Sequence, residues 1–278
     1  MRLRPIATLI AMSLASLPAL AADPVPLAAH KALYRLTMES ARSGDIAAAT
    51  GTMAYEITDA CDGWATRQRL SLEITNREGQ DIDLVSDYAT WESKDGLSMR
   101  FRMRQTTETA VTEQVEGDAT LTAPGGPGTI RYTLPEERTM PMPAGTLFPM
   151  AHTAAIIAAA ETGKRFLAVP LFDGTGDKGT QDSSVAITSW TAQPMASAYT
   201  ALASLPSGRV RIAFFDRSPP GSSPAAKPGA KEKPAGSPDY EVGMKYWANG
   251  VADDLMMDFS DFVMQGKLSE FTIPEPHC

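Results

Sequence analysis

The chain has 278 residues, 43% hydrophobic and 7% aromatic, with 25 basic and 33 acidic side chains and a formal net charge of -8. That balance excludes a general nucleic-acid binder, which needs a basic surface to displace counterions. The length allows one large core or two small ones, and 21 prolines with few aromatics weigh against a helical bundle.

In chain order, Met1-Arg2-Leu3-Arg4 leads into an apolar run over 6–20 and an Ala19-Leu20-Ala21 cleavage site. This is the layout of a secretory signal peptide over 1–22, with Pro18 breaking the run before the cut. An uncleaved membrane anchor is the alternative, but the run is short for a span of roughly 20 residues. No cysteine follows the site to carry a lipid, and no later segment is long and apolar enough for a transmembrane span. Cleavage removes Arg2 and Arg4 and no acid, so the mature chain, expected to be soluble, is more acidic still.

Period-two alternation then recurs between turn residues, the mark of antiparallel strands with one dry and one wet face. Tyr34, Leu36 and Met38 alternate with Arg35, Thr37 and Glu39, and Met53, Tyr55 and Ile57 with Thr52, Glu56 and Thr58. Trp64, Leu70, Leu72 and Ile74 share one parity. Leu97, Met99, Phe101 and Met103 oppose Ser98, Arg100, Arg102 and Arg104, and Val210, Ile212 and Phe214 repeat the pattern. Further strands are predicted over 82–91, 108–115, 119–122, 129–134, 166–172, 185–190, 240–248, 254–259 and 262–272. So many short strands must curl, close or split into layers.

One segment breaks the period. Over 148–162, Pro149 suits a first helical turn, alanines dominate, and Gly163 supplies a stop, so the principal α-helix belongs here. A weaker helix is expected over 196–203. The Ser-, Pro- and Gly-rich stretch at 218–238 cannot bury apolar surface and reads as a flexible internal loop. A domain linker is the alternative. Only strand-like sequence follows it, which favours a single domain over 23–278.

The two cysteines, Cys61 and Cys278, have one intramolecular pairing open to them in an oxidising compartment. Two free thiols or an intermolecular bridge are the competing readings. Paired, they would place the C-terminal tail beside the turn at Asp59-Ala60-Cys61-Asp62-Gly63.

Catalytic and metal motifs are missing from the sequence. His30, His152 and His277 have no metal-ligand spacing, and no nucleophile elbow or Walker-type phosphate loop appears. His152, in the first helical turn, is either a folding contact or cap, or a ligand-facing group. The carboxylates of 173–182 invite a calcium reading, but the spacing lacks the closing glutamate, and a glycine-rich hairpin loop explains them. Arg100, Arg102 and Arg104 form a row on one strand face, able to meet phosphates of an envelope lipid or saccharide, or to be a solvated face answered by Glu73 and Glu108. The 14 methionines, two of them in the leader, would suit an adaptable apolar lining, but an irregular core is the expected place for them.

An ordered set of short motifs carries a resemblance. It comprises Leu27-Ala28-Ala29-His30-Lys31-Ala32-Leu33-Tyr34, Gly51-Thr52-Met53-Ala54-Tyr55-Glu56, Cys61-Asp62-Gly63-Trp64, Leu147-Phe148-Pro149 with His152, and Leu171-Phe172-Asp173-Gly174. Asn249-Gly250-Val251, Asp254-Leu255, Asp258-Phe259, Asp261-Phe262 and the terminal Cys278 complete it. Together they resemble the EipB family of periplasmic envelope integrity proteins along essentially the whole mature chain. The resemblance implies a mainly β fold, a many-stranded antiparallel spiral or broken barrel with a helix associated with its interior, and a Cys61–Cys278 disulfide. It implies a periplasmic role in Gram-negative envelope integrity, without established enzymatic activity or cofactor. The expected partner is an envelope protein or lipid component. A carrier of an acyl chain is the alternative, and an uncharacterised hydrolase ranks third.

Overall fold

The computed structural model describes residues 25–42, 44–195, 197–217, 236–259, 261–276 and 278. The leader at 1–22 and most of the 218–238 loop lie outside the described residues. Eight strands come first: β1 (His30–Ala41), β2 (Ile46–Asp59), β3 (Gly63–Asn76), β4 (Asp81–Ser93), β5 (Ser98–Thr107), β6 (Ala110–Leu121), β7 (Gly128–Leu134) and β8 (Arg138–Met142). Helix α1 (Pro149–Glu161) follows, then β9 (Phe166–Leu171), β10 (Gln181–Thr191), β11 (Ser207–Asp216), β12 (Tyr240–Trp247), β13 (Ala252–Asp258) and β14 (Phe262–Thr272).

Among the described residues, all 14 strands form one antiparallel sheet in which each pairs with its chain neighbours, except that β8 and β9 are the two edges and β14 returns to β1. The result is an up-and-down meander, curled but not closed into a barrel, broken where α1 interrupts the chain. Alternation dictates the faces. Ala32, Tyr34 and Leu36 of β1 are buried while Lys31 and Arg35 are exposed, and in β5 Met99, Phe101 and Met103 are buried while Arg100, Arg102 and Arg104 are exposed.

Two local features follow the sequence closely. Pro149 opens α1, and Gly163, at φ 75°, ends it. The Gly163 N–H donates to the Ala160 carbonyl (3.0 Å) and the Lys164 N–H to that of Ala159 (2.9 Å), the paired bonds that a left-handed glycine stop provides. Cys61 and Cys278 are joined, with Cα atoms 5.5 Å apart. Cys61 sits at φ 67° in a turn that Asp59 braces by accepting its N–H (2.9 Å). Lys94 pairs with Asp59 at 2.8 Å while covering the Trp64 ring, and this pairing holds the Asp59 carboxyl below its usual range.

The sequence expectations need three corrections. The strands predicted over 108–115 and 119–122 are one, β6. Gly117 there is a close approach, since a Cβ would lie 2.2 Å from the Arg131 carbonyl and 2.8 Å from Phe101. Strand β8 was hidden by Pro141 and Pro143, which an edge strand tolerates. Where a second helix was expected over 196–203, the described residues make successive four-residue turns, with the Leu202 N–H on the Tyr199 carbonyl and the Leu205 N–H on that of Leu202.

The gap between edges is bridged by side chains and loops. Leu147, just before α1, donates to the Pro170 carbonyl (2.9 Å) and accepts from the Phe172 N–H (3.0 Å). Phe172 then packs edge-on against Phe101 (5.1 Å) and Phe148 (6.5 Å). The loop after it docks on β7, where the Tyr132 hydroxyl donates to the Gly176 carbonyl and accepts the Gly179 N–H, both at 3.1 Å.

Candidate binding pocket

Helix α1 lies against the inner faces of β9 and β10 through Ile156, Ala159 and Ala160, packed with Leu171, Val185 and Ile187. Small side chains permit that close contact. Its N-terminus leaves orphan N–H donors that no local side chain caps. They are met from across the interior by Glu92 of β4, whose carboxylate accepts the Met150 N–H at 2.8 Å and the Ala151 N–H at 3.0 Å. Glu92 is 2% exposed, and this burial pushes its carboxyl up to about 7 against the opposing pull of the two N–H donors. Sequence reasoning missed Glu92. The available signal was its parity, since Tyr88, Thr90 and Glu92 share the inward side of β4.

Beside this anchor the sheet and helix leave a cavity of about 290 Å³. Its walls are Met53, Tyr55 and Ile57 of β2, Val242, Met244 and Tyr246 of β12, Leu255 and Met257 of β13, and Met150 and Thr153 of α1. Leu27 and Ala28 cover one end, held by the Ala28 N–H on the Asn249 carbonyl (2.9 Å). Tyr34, also on the wall, donates its hydroxyl to the Ala252 carbonyl at 2.8 Å. His30 Nδ1–H donates to the Ala28 carbonyl at 2.8 Å, and burial lowers its pKa. Both contacts are within the protein, and methionine and aliphatic side chains make up much of the lining, with Gln68 and Tyr55 also on the wall. Met99, Met103, Met142 and Met264 are core as expected, while Met244 and Met257 line the cavity and Met53 and Met150 do both.

The sequence-derived candidates are not gathered here. His152 lies on α1, 5% exposed, with Nε2 2.9 Å from the Ser183 hydroxyl, itself 1% exposed. Burial depresses the imidazole to about 4. The pair is sealed in the core, and the nearby carboxylate, Glu92, is engaged by backbone. Ser183→Ala is therefore expected to cost about 1–2 kcal/mol by removing the partner of a buried ring nitrogen, measured by urea denaturation. An unchanged midpoint would show the contact to be idle.

Arg100, Arg102 and Arg104 lie on the outer face of β5. Arg100 stacks over the Trp91 ring at 4.7 Å, and Arg102 and Arg104 line an open groove of about 900 Å³ across β14 and β1–β6. In the 173–182 loop, Asp173 accepts the Thr175 N–H and hydroxyl on one oxygen and Gln181 Nε2 (2.8 Å) on the other. Its carboxylate organises the loop itself.

The match to known proteins covers most of the molecule. The EipB-like family model matches residues 21–275. A cell envelope integrity protein EipB of Brucella abortus (strain 2308) is 31% identical over 262 residues, which is 91% of this chain and 86% of that protein. A crystal structure of a beta-barrel-like protein of a domain of unknown function, also from Brucella abortus, superposes with a TM-score of 0.77 at 29% identity, covering 90% of this chain and 100% of that one. With the meander, the interior helix and the Cys61–Cys278 bridge already in place, these matches show that the chain belongs to the EipB-like family.

Proposed function

We propose that this protein is a non-catalytic periplasmic factor that supports cell-envelope integrity by holding the apolar chain of an envelope component. The observation that carries this reading is the 290 Å³ cavity beside α1. At about 30 Å³ per water-sized group it takes roughly ten such groups, the bulk of one medium-length acyl chain. Four methionines among its walls give a surface that adapts to chains of different shape. The relative's name as a cell envelope integrity protein, the signal-peptide layout expected from the sequence of 1–22 and the disulfide all support that compartment.

The test is retention and displacement of an acyl probe. Wild-type protein should bind a dansylated undecanoate saturably and lose it to laurate. Val242→Trp, which fills the cavity from β12, should weaken binding by about tenfold or more, with strand content retained by circular dichroism. A strain lacking the gene should regain detergent resistance with the wild-type copy and not with Val242→Trp. Full complementation by the filled variant would refute the proposal.

A further inference from the structure

The outer groove has a regular layout set by register. One row across the sheet runs Ala54, Arg69, Asp87, Arg104 and Gln114; the next runs Glu56, Arg67, Ala89, Arg102 and Glu116. In the first row Asp87 stands between two arginines, and Arg69 donates to both of its oxygens, at 2.8 and 3.0 Å. In the second row the equivalent central position is Ala89. Arg67 and Arg102 flank it in direct register, their Cα atoms two strand spacings or roughly 10 Å apart.

Neither Arg67 nor Arg102 makes a salt bridge among the described residues, nor does Arg104. The acids of the groove do not answer them. Glu56 is held by Lys31 at 2.9 Å, Asp87 by Arg69, and Glu116, although in register with Arg102, forms no ion pair with it. Glu270 lies at the far end, on β14. Two guanidinium forks thus face a small side chain where the adjacent row carries a carboxylate.

We propose that the space over Ala89 is an anion site, in which Arg67 and Arg102 clamp one tetrahedral oxyanion of a phosphate monoester or diester, with Arg104 adding charge from the next row. Guanidinium pairs match phosphate oxygens bidentately, whereas a lone surface arginine gives only a diffuse field. The site lies on the opposite face of the sheet from the apolar cavity and stands whether or not that cavity holds a chain.

The experiment titrates the full mature protein, at constant ionic strength, with inorganic phosphate, glycerol phosphate, and vesicles of phosphatidylcholine with or without phosphatidylglycerol. Saturable binding is expected, weakened by about tenfold in the Arg67→Gln, Arg102→Gln double variant. Ala89→Asp, which supplies the missing internal carboxylate, should abolish binding while melting no lower than wild type. Glu116→Gln should tighten it. Arg77→Gln, which removes one exposed charge from the β3–β4 turn, should leave it unchanged. Binding of the soluble esters would identify a free phosphorylated solute, and binding confined to phosphatidylglycerol vesicles a lipid headgroup. Either supports the site if lost in Ala89→Asp or in the double variant. Failure of every probe to bind saturably, or an equal loss in Arg77→Gln, overturns it.

Discussion

Cys278→Ser should lower the melting temperature by up to roughly 10–20 °C under oxidising conditions, taking about 5 kcal/mol as the upper value for so long a loop and about 2–4 °C per kcal/mol for a chain of this size. The bond spans 217 residues and closes a ring that contains β3 to β14. Its position adds to the effect. Strands β1–β8 and β9–β14 are joined in the sheet at the β1–β14 pair, and that pair shifts register between Leu33 and Tyr34 and again between Met38 and Ser40. The tail after β14 is fastened to the β2–β3 turn, on the far side of β1, so the bridge holds the same seam that the irregular ladder holds. Reductant should bring wild type down to the variant and leave the variant where it was. Equal melting of oxidised wild type and Cys278→Ser would end this account.

That seam shows what a sequence can and cannot carry. Alternation in Tyr34-Leu36 or Met99-Phe101-Met103 exposes which side of each strand is dry, because a half-buried sheet writes burial with period two. It says nothing about partners, so the return of β14 to β1 was not legible. The single strand β6 was read as two, and Gly117 within it makes room for Phe101. The cavity was equally hidden, since Met53 and Met257 lie far apart in the chain and meet only through the β1–β14–β13 order. Arg102 was visible as part of a charged row, but its significance depends on Ala89 beside it, and alanine on a wet face draws no attention. Glu92 carried the one overlooked sign, a charge on the inward parity of its strand.

Glu92 gives the second large effect. Glu92→Ala removes the acceptor of two helix N–H groups in a buried site and should cost about 2–4 kcal/mol under acidic conditions. The pH dependence has a definite sign. The folded carboxyl titrates near 7 and its ordinary value is 4.5, so between these values the folded protein binds more protons than the unfolded chain. The stability contributed is complete below 4.5 and is lost as pH rises through 7, by on the order of 3 kcal/mol. His152 acts in the opposite direction. Its imidazole is depressed from 6.5 to about 4, so its contribution is complete above 6.5 and is lost as pH falls towards 4. Between 4.5 and 6.5 the Glu92 slope therefore opposes that of His152, to which the depressed His30 adds in the same direction, and wild type should weaken from 6.5 to 7. Glu92→Gln keeps one acceptor and removes the titration, so its stability should rise with pH up to 6.5 and then hold level. Urea denaturation of both proteins at matched pH isolates the glutamate as their difference. If that difference were constant from pH 4.5 to 7, the carboxylate would be titrating normally, and the cross-interior anchor of α1 would have to rest on other groups.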